Sequence, residues 1–133
     1  MDVPVELNRI LINEKSDHQV IVLKELNGDR TMAIVIGIVE IFAIDRRLKG
    51  IEPPRPMTHD LMASIIEELD AHLVKVVIDN LQNHTYFAKL HLMKSDQSTI
   101  IVDSRPSDAI ALAVASDTPL FVSQHVWDQA SQE

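Results

Sequence analysis

The sequence predicts an α+β (mixed α/β) fold, with mixed β-sheets and three to four helices in a single domain over residues 1–133. Three observations predict it. Short runs rich in β-branched residues recur along the chain, as strands require. Longer segments between them repeat apolar residues at the spacing of a helix face. Residues 98–122 then combine both patterns as a strand, a buried helix and a second strand.

That last stretch opens with Thr99-Ile100-Ile101-Val102, a run expected to form a buried strand. Asp103 to Pro106 turn the chain, and Pro106 suits the first turn of a helix because its missing N–H would be unpaired there anyway. Ser107 and Asp108 follow, placed to meet free N–H groups and the positive end of the helix dipole. Every residue from Ala109 to Ala115 is apolar, which predicts a helix buried all round. Asp117 and Pro119 stop it, and Leu120-Phe121-Val122 reads as the returning strand. The polar corner at 103–108 falls at the strand's carboxyl end, where such crossover units place binding sites.

From the N-terminus, Val3–Ile12 reads as a strand and Asn13–Asp17 as a polar loop. Gln19–Leu26 and Thr31–Ile36 form a predicted hairpin, with Asn27-Gly28 supplying the positive φ of a tight turn. The continuous apolar run Met32–Ile36 suggests burial on both faces. Ile38–Lys49 reads as a helix closed by Gly50, with Glu40 the one acid of its apolar first half. Glu40 is either a functional carboxylate or simply a first-turn acid meeting the dipole. Three prolines stiffen 51–57, and Thr58 is the expected cap of a helix carrying Leu61, Met62, Ile65, Ile66 and Leu69 on one face. Leu73–Leu81 and Thr85–Met93 read as a hairpin, the second strand alternating its faces. A short final helix within 123–133 carries Val126 and Trp127.

Composition narrows the function. A hydrophobic share of 46% supports a globular core, and no apolar run reaches the about 18 residues of a membrane helix. The first residues lack the basic and apolar regions of a signal peptide. With no cysteine there is no disulfide or thiolate metal site, which fits a cytoplasmic protein. A net charge of −8 argues against indiscriminate nucleic-acid binding, which needs clustered Lys and Arg. Arg46, Arg47, Lys49 and Arg55 are either a local anion site or a solvated helix end. Only 3 glycines occur, too few for a phosphate loop, and the five aromatics are too few for a base-stacking platform.

What remains is a polar set at element ends: Glu40, Arg55, Thr58, His59, Asp60, Asp103, Arg105, Ser107 and Asp108. Glu40, Asp60, Asp103 and Asp108 can supply oxygen ligands to Mg²⁺ or Mn²⁺. His59 suits proton transfer, and Arg55 and Arg105 suit bidentate grip on a phosphate. Together they outline a metal-assisted phosphodiesterase. The same residues also have ordinary uses: Thr58, Ser107 and Asp108 as caps, and Arg105 paired with Asp103 or Asp60 in an ion network.

The phrases Arg55-Pro56-Met57-Thr58-His59-Asp60-Leu61, Thr85-Tyr86-Phe87-Ala88-Lys89-Leu90 and Asp103-Ser104-Arg105-Pro106-Ser107-Asp108-Ala109-Ile110-Ala111-Leu112-Ala113 resemble the bifunctional nuclease domain family. Ile36-Gly37-Ile38-Val39-Glu40 fits the same pattern, and the resemblance covers nearly the whole chain. It implies a small bacterial protein with a compact mixed α/β fold, usually self-associated, and cleavage of RNA or DNA. The family's polar positions fall on Glu40, Arg55, His59, Asp60, Asp103, Arg105, Ser107 and Asp108. His59, Asp60, Asp103, Asp108 and Glu40 are the expected catalytic set, and Arg55, Arg105 and Ser107 the expected substrate contacts. The alternative is a non-catalytic, self-associating module whose polar motif is structural. The sequence departs from the family at Ile41, at Asp117 where Gly is common, and at Ala115 where a basic residue is common. The last departure weakens a nucleic-acid reading, as the net charge does.

Overall fold

The computed structural model describes residues 1–13 and 15–130. It contains strands β1 (Asp2–Leu11), β2 (His18–Glu25) and β3 (Thr31–Gly37), then helices α1 (Ile38–Leu48) and α2 (Thr58–Glu68). Strands β4 (His72–Gln82), β5 (Thr85–Met93) and β6 (Thr99–Ser104) follow, then α3 (Pro106–Ser116), β7 (Leu120–Ser123) and α4 (Gln124–Ala130). The strands form one 7-stranded sheet in the order β3-β2-β1-β7-β4-β5-β6. All neighbours are antiparallel except β4 and β7, so the sheet is mixed, as expected. The late strand β7 lies at the centre, joining the meander β1–β3 to the meander β4–β6.

Helix α3 is the buried helix that its composition predicts. Ser107 and Ala109–Ala113 are all buried, and α1 and α2 both pack on it. Ile41 and Ile44 of α1, Ile110 and Leu112 of α3, and Ile21, Leu23, Val76 and Ile78 of the sheet form the centre of the core. Reading orientations along the sheet, β6 runs parallel to β7, with β4 and β5 between them. The chain from 98 to 122 is therefore a crossover that passes over two strands. Asp117 closes α3 in the left-handed region at φ 52°, a conformation that glycine adopts most easily and Asp tolerates.

Four expectations need correction. β6 is not buried: Thr99–Asp103 are exposed, because β6 is the last strand of the sheet. An apolar β-branched run reads the same whether or not a layer covers it. β3 is likewise an edge, buried only at alternate residues, with Val35 60% exposed. The tight turn with two positive φ values sits not at Asn27-Gly28 but at Asn83-His84, with φ of 50° and 63°. Gly28 instead admits the Glu25 carboxylate, which would lie 2.8 Å from an added Cβ. Finally, Met57 rather than Thr58 is the cap of α2, its N–H bonded to Asp60 Oδ2 at 3.0 Å.

Candidate functional site

Three helix starts converge at one end of the helical layer. Glu40 stands in the first turn of α1, His59 in that of α2 and Asp108 in that of α3. The positive ends of three helix dipoles thus face a common region and favour negative charge there. Arg105, the residue that caps α3, links them. Its Nε donates to Asp108 Oδ2 at 2.8 Å, and its Nη2 to Asp108 Oδ1 and Glu40 Oε1, each at 3.0 Å. His59 Nε2 reaches Asp108 Oδ1 at 3.2 Å. Glu40, Arg105, Asp108 and His59 therefore form one continuous network across α1, α3 and α2.

Its electrostatics follow from these contacts. Burial pushes the Asp108 carboxyl up, but the hydrogen bonds from Arg105 and His59 outweigh it and hold the group below its ordinary value. The hydrogen bonds to Asp108 and Glu40 raise Arg105 further, so it stays charged throughout. With Asp108 ionised, it accepts a hydrogen bond from His59 Nε2–H, which fixes the tautomer and leaves Nδ1 as the basic nitrogen.

Space opens on both sides of the network. Arg105 and Ser107 border a groove of about 390 Å³ whose other walls include Gly37, His84 and Tyr86. His59 and Asp60 border a cavity of about 30 Å³, together with Arg46, Arg47 and Met57. That volume suits a single water molecule. Arg47 also donates to the carbonyl of Ala115 at 3.0 Å. A cation from α1 thus stands against the last turns of α3.

The remaining candidates lie apart from this network. Asp60 caps α2 through Met57, and Thr58 is its first helical residue. Asp103, on exposed β6, pairs with Lys89 at 3.2 Å rather than with Arg105. Arg55 is exposed in the 51–57 linker, with no ion pair among the described residues. Ser107 is buried and Asp108 turns to Arg105 and His59, so neither side chain caps the helix. Sequence reasoning missed Gly37, where an added Cβ would meet Glu40 Oε2 at 2.5 Å, so its small size makes room for that carboxylate.

The donor set does not fit a divalent cation as arranged. Among the described residues, no three His, Asp or Glu side chains gather as ligands. Asp60 and Asp103 are directed elsewhere, and both Asp108 oxygens are engaged.

The fold and this network define a small mixed-sheet domain with an ionic cluster at converging helix starts. Residues 21–133 match the bifunctional nuclease domain, and the chain belongs to that family. An uncharacterized protein of Mycobacterium tuberculosis (strain H37Rv) is 39% identical over 121 residues, 91% of this chain and 71% of that protein. Bifunctional nuclease 1 of Oryza sativa subsp. indica is 26% identical over 118 residues, 86% of this chain but 36% of the rice protein. Bifunctional nuclease 2 of Arabidopsis thaliana is 26% identical over 112 residues, 82% of this chain and 34% of the plant protein. The chain thus corresponds to about a third of each plant relative. Among the described residues, no helix is long and apolar enough to cross a membrane.

Proposed function

We propose that the chain is a nuclease that cleaves phosphodiester bonds of RNA or DNA with its own side chains, in the bacterial cytoplasm. The observation that carries this reading is the Asp108–His59 hydrogen bond beside the exposed guanidinium of Arg105. Arg105 Nη1 takes part in none of its hydrogen bonds to Asp108 and Glu40, and is the atom left to meet a phosphate oxygen. His59 Nδ1 takes the proton of the attacking oxygen, a water or the 2′-hydroxyl of RNA, while Asp108 stabilises the imidazolium that forms. The bond from phosphorus to the leaving oxygen then breaks, and that oxygen takes a proton from solvent. The names of the plant relatives support the reaction class. No step is routed through Mg²⁺ or Mn²⁺, because the carboxylates are not gathered to hold one.

A second reading is favoured by the saturation of the network. With both Asp108 oxygens engaged, the cluster also serves as a staple between α1, α2 and α3. Cleavage of single-stranded RNA and DNA by wild type, His59→Ala and Asp108→Ala, with melting temperatures of the same samples, separates the two. Loss of cleavage with retained folding supports the nuclease. Equal cleavage in all three points to a contaminant, and lowered melting without any cleavage leaves the staple.

A further inference from the structure

Arg46 is a cation with no counter-ion among the described residues. It stands in the last turn of α1 beside Arg47, half-buried, and lines the cavity that also borders His59. Side chains one position apart on a helix diverge, yet both arginines reach this cavity. Arg47 is anchored to the carbonyl of Ala115. Arg46 has no such anchor, although the chain holds 20 acidic residues against 12 basic ones. Its neighbour Asp45 is taken by Lys49 at 2.9 Å. Asp60, the one carboxylate lining the cavity among the described residues, accepts from the N–H of Met57. Partly buried charges are ordinarily paired, so an unpaired one in an acidic chain marks a place for an anion from outside.

We propose that Arg46 and Arg47 hold a phosphate of the nucleic-acid strand flanking the phosphate at Arg105. The inference rests on the nuclease reading for the identity of its ligand. Arg105 is bonded to Asp108 and Arg47 to Ala115, and those two residues are seven apart on α3. At about 1.5 Å per residue that is about 10 Å, a span that one strand bridges and a free phosphate does not. His59 stands between the two places, bonded to Asp108 and lining the arginine cavity. The cavity of about 30 Å³ admits one phosphate oxygen, so the rest of the group lies over its mouth, beside the guanidinium groups. The groove at Arg105 and Ser107 takes the strand beyond the scissile bond. On a chain of net charge −8, this local excess of cations also sets where a polyanion approaches.

Equilibrium binding of a fluorescent single-stranded oligonucleotide tests this without requiring turnover, in wild type, Arg46→Ala and Lys49→Ala. Lys49→Ala removes the same charge from the same helix end, but Lys49 is held by Asp45 and does not line the cavity. Arg46→Ala is expected to raise the dissociation constant about tenfold, as loss of one charge-assisted hydrogen bond does. Lys49→Ala is expected to stay within about twofold of wild type, as an exposed ion pair allows. The slope of log affinity against log salt is expected to flatten by about 0.7 in Arg46→Ala, one phosphate contact on a single strand. No binding by wild type, equal losses in the two variants, or an unchanged salt slope overturns the proposal. Inorganic phosphate is the second probe: Arg46-dependent binding of it, with oligonucleotide affinity unaffected by Arg46→Ala, assigns the pair to a free anion and also overturns the proposal. Arg46-dependent oligonucleotide binding without any cleavage upholds the flanking site and sinks the nuclease reading. Cleavage by a wild type whose oligonucleotide binding ignores Arg46 does the reverse.

Discussion

His59 and Asp108 are 49 positions apart in the sequence, yet their side chains meet at 3.2 Å between Nε2 and Oδ1. The bond joins the first turns of two helices and orients an imidazole whose other nitrogen engages none of the described residues. Replacing His59 with Ala removes the proton acceptor. Cleavage is expected to fall by about 10²–10⁴-fold. Stability should drop by only about 1 kcal/mol, the worth of one hydrogen bond. Initial rates on single-stranded RNA and urea melts of the same preparations check this.

Asp108 contributes to the acid sensitivity of the fold. Its carboxyl titrates lower in the folded chain than its ordinary value of 3.8, so ionisation favours the folded state. The stabilisation is complete above that ordinary value and is lost as pH falls through the lower, folded one. Unfolding free energies from about pH 5 to about pH 2 are expected to decline. Asp108→Asn is expected to be less stable at neutral pH and to show a shallower decline.

Gly37→Ala tests Glu40 without replacing any of the four side chains of the network. The added Cβ would come within 2.5 Å of Glu40 Oε2, the far end of a flexible side chain. The carboxylate swings away and Arg105 loses one of its two acidic partners. The fold is expected to persist while KM for a nucleic-acid substrate falls about fivefold, the worth of one exposed ion pair at about 1 kcal/mol. An unchanged KM would show that Glu40 does not compete for Arg105.

Chelation tests the metal-free reading. Because Asp60 and Asp103 serve Met57 and Lys89, cleavage is expected to continue unchanged in excess EDTA. Complete loss, restored by Mg²⁺ or Mn²⁺, would mean that the carboxylates regroup when substrate binds.

Gln19 is fully buried and closes the loop before β2. Its amide donates to the carbonyls of Asn13 at 2.9 Å and Ser16 at 2.8 Å, and its oxygen accepts from the N–H of Asn13. Gln19→Leu keeps the volume and strands these backbone groups, so chemical denaturation should show a loss of about 1–3 kcal/mol.

Legibility in the sequence varied with the physics of each element. α3 was readable because seven successive apolar residues leave a helix no face for water. The faces of β5 were readable because alternation reports one-sided cover, and Ala88, Leu90 and Leu92 are indeed its buried side. β3 and β6 were not, since composition reports the wish to be covered and not the presence of a cover. Gln19 was missed for the opposite reason, a polar residue whose partners are backbone groups that no pattern reveals. At the site, the polar corners were visible, and the structure brings 59 and 108 together. Which acid Arg105 would choose was not visible. Asp103 is two positions away, but it lies on β6 and pairs with Lys89 of the neighbouring strand, whereas Arg105 begins α3 and Asp108 lies one helical turn on. Glu40 arrives from 65 positions away by the packing of α1 on α3.

The position of β7 has a consequence for synthesis. Its four residues, Leu120–Ser123, are the strand that stands between β1 and β4, so within the sheet no strand joins the two meanders until they emerge from the ribosome. Until then the nascent chain holds two three-stranded pieces with open flanks. A stop codon shortly before Leu120 would leave the two meanders held only through the helices, with an open gap in the sheet where β7 belongs.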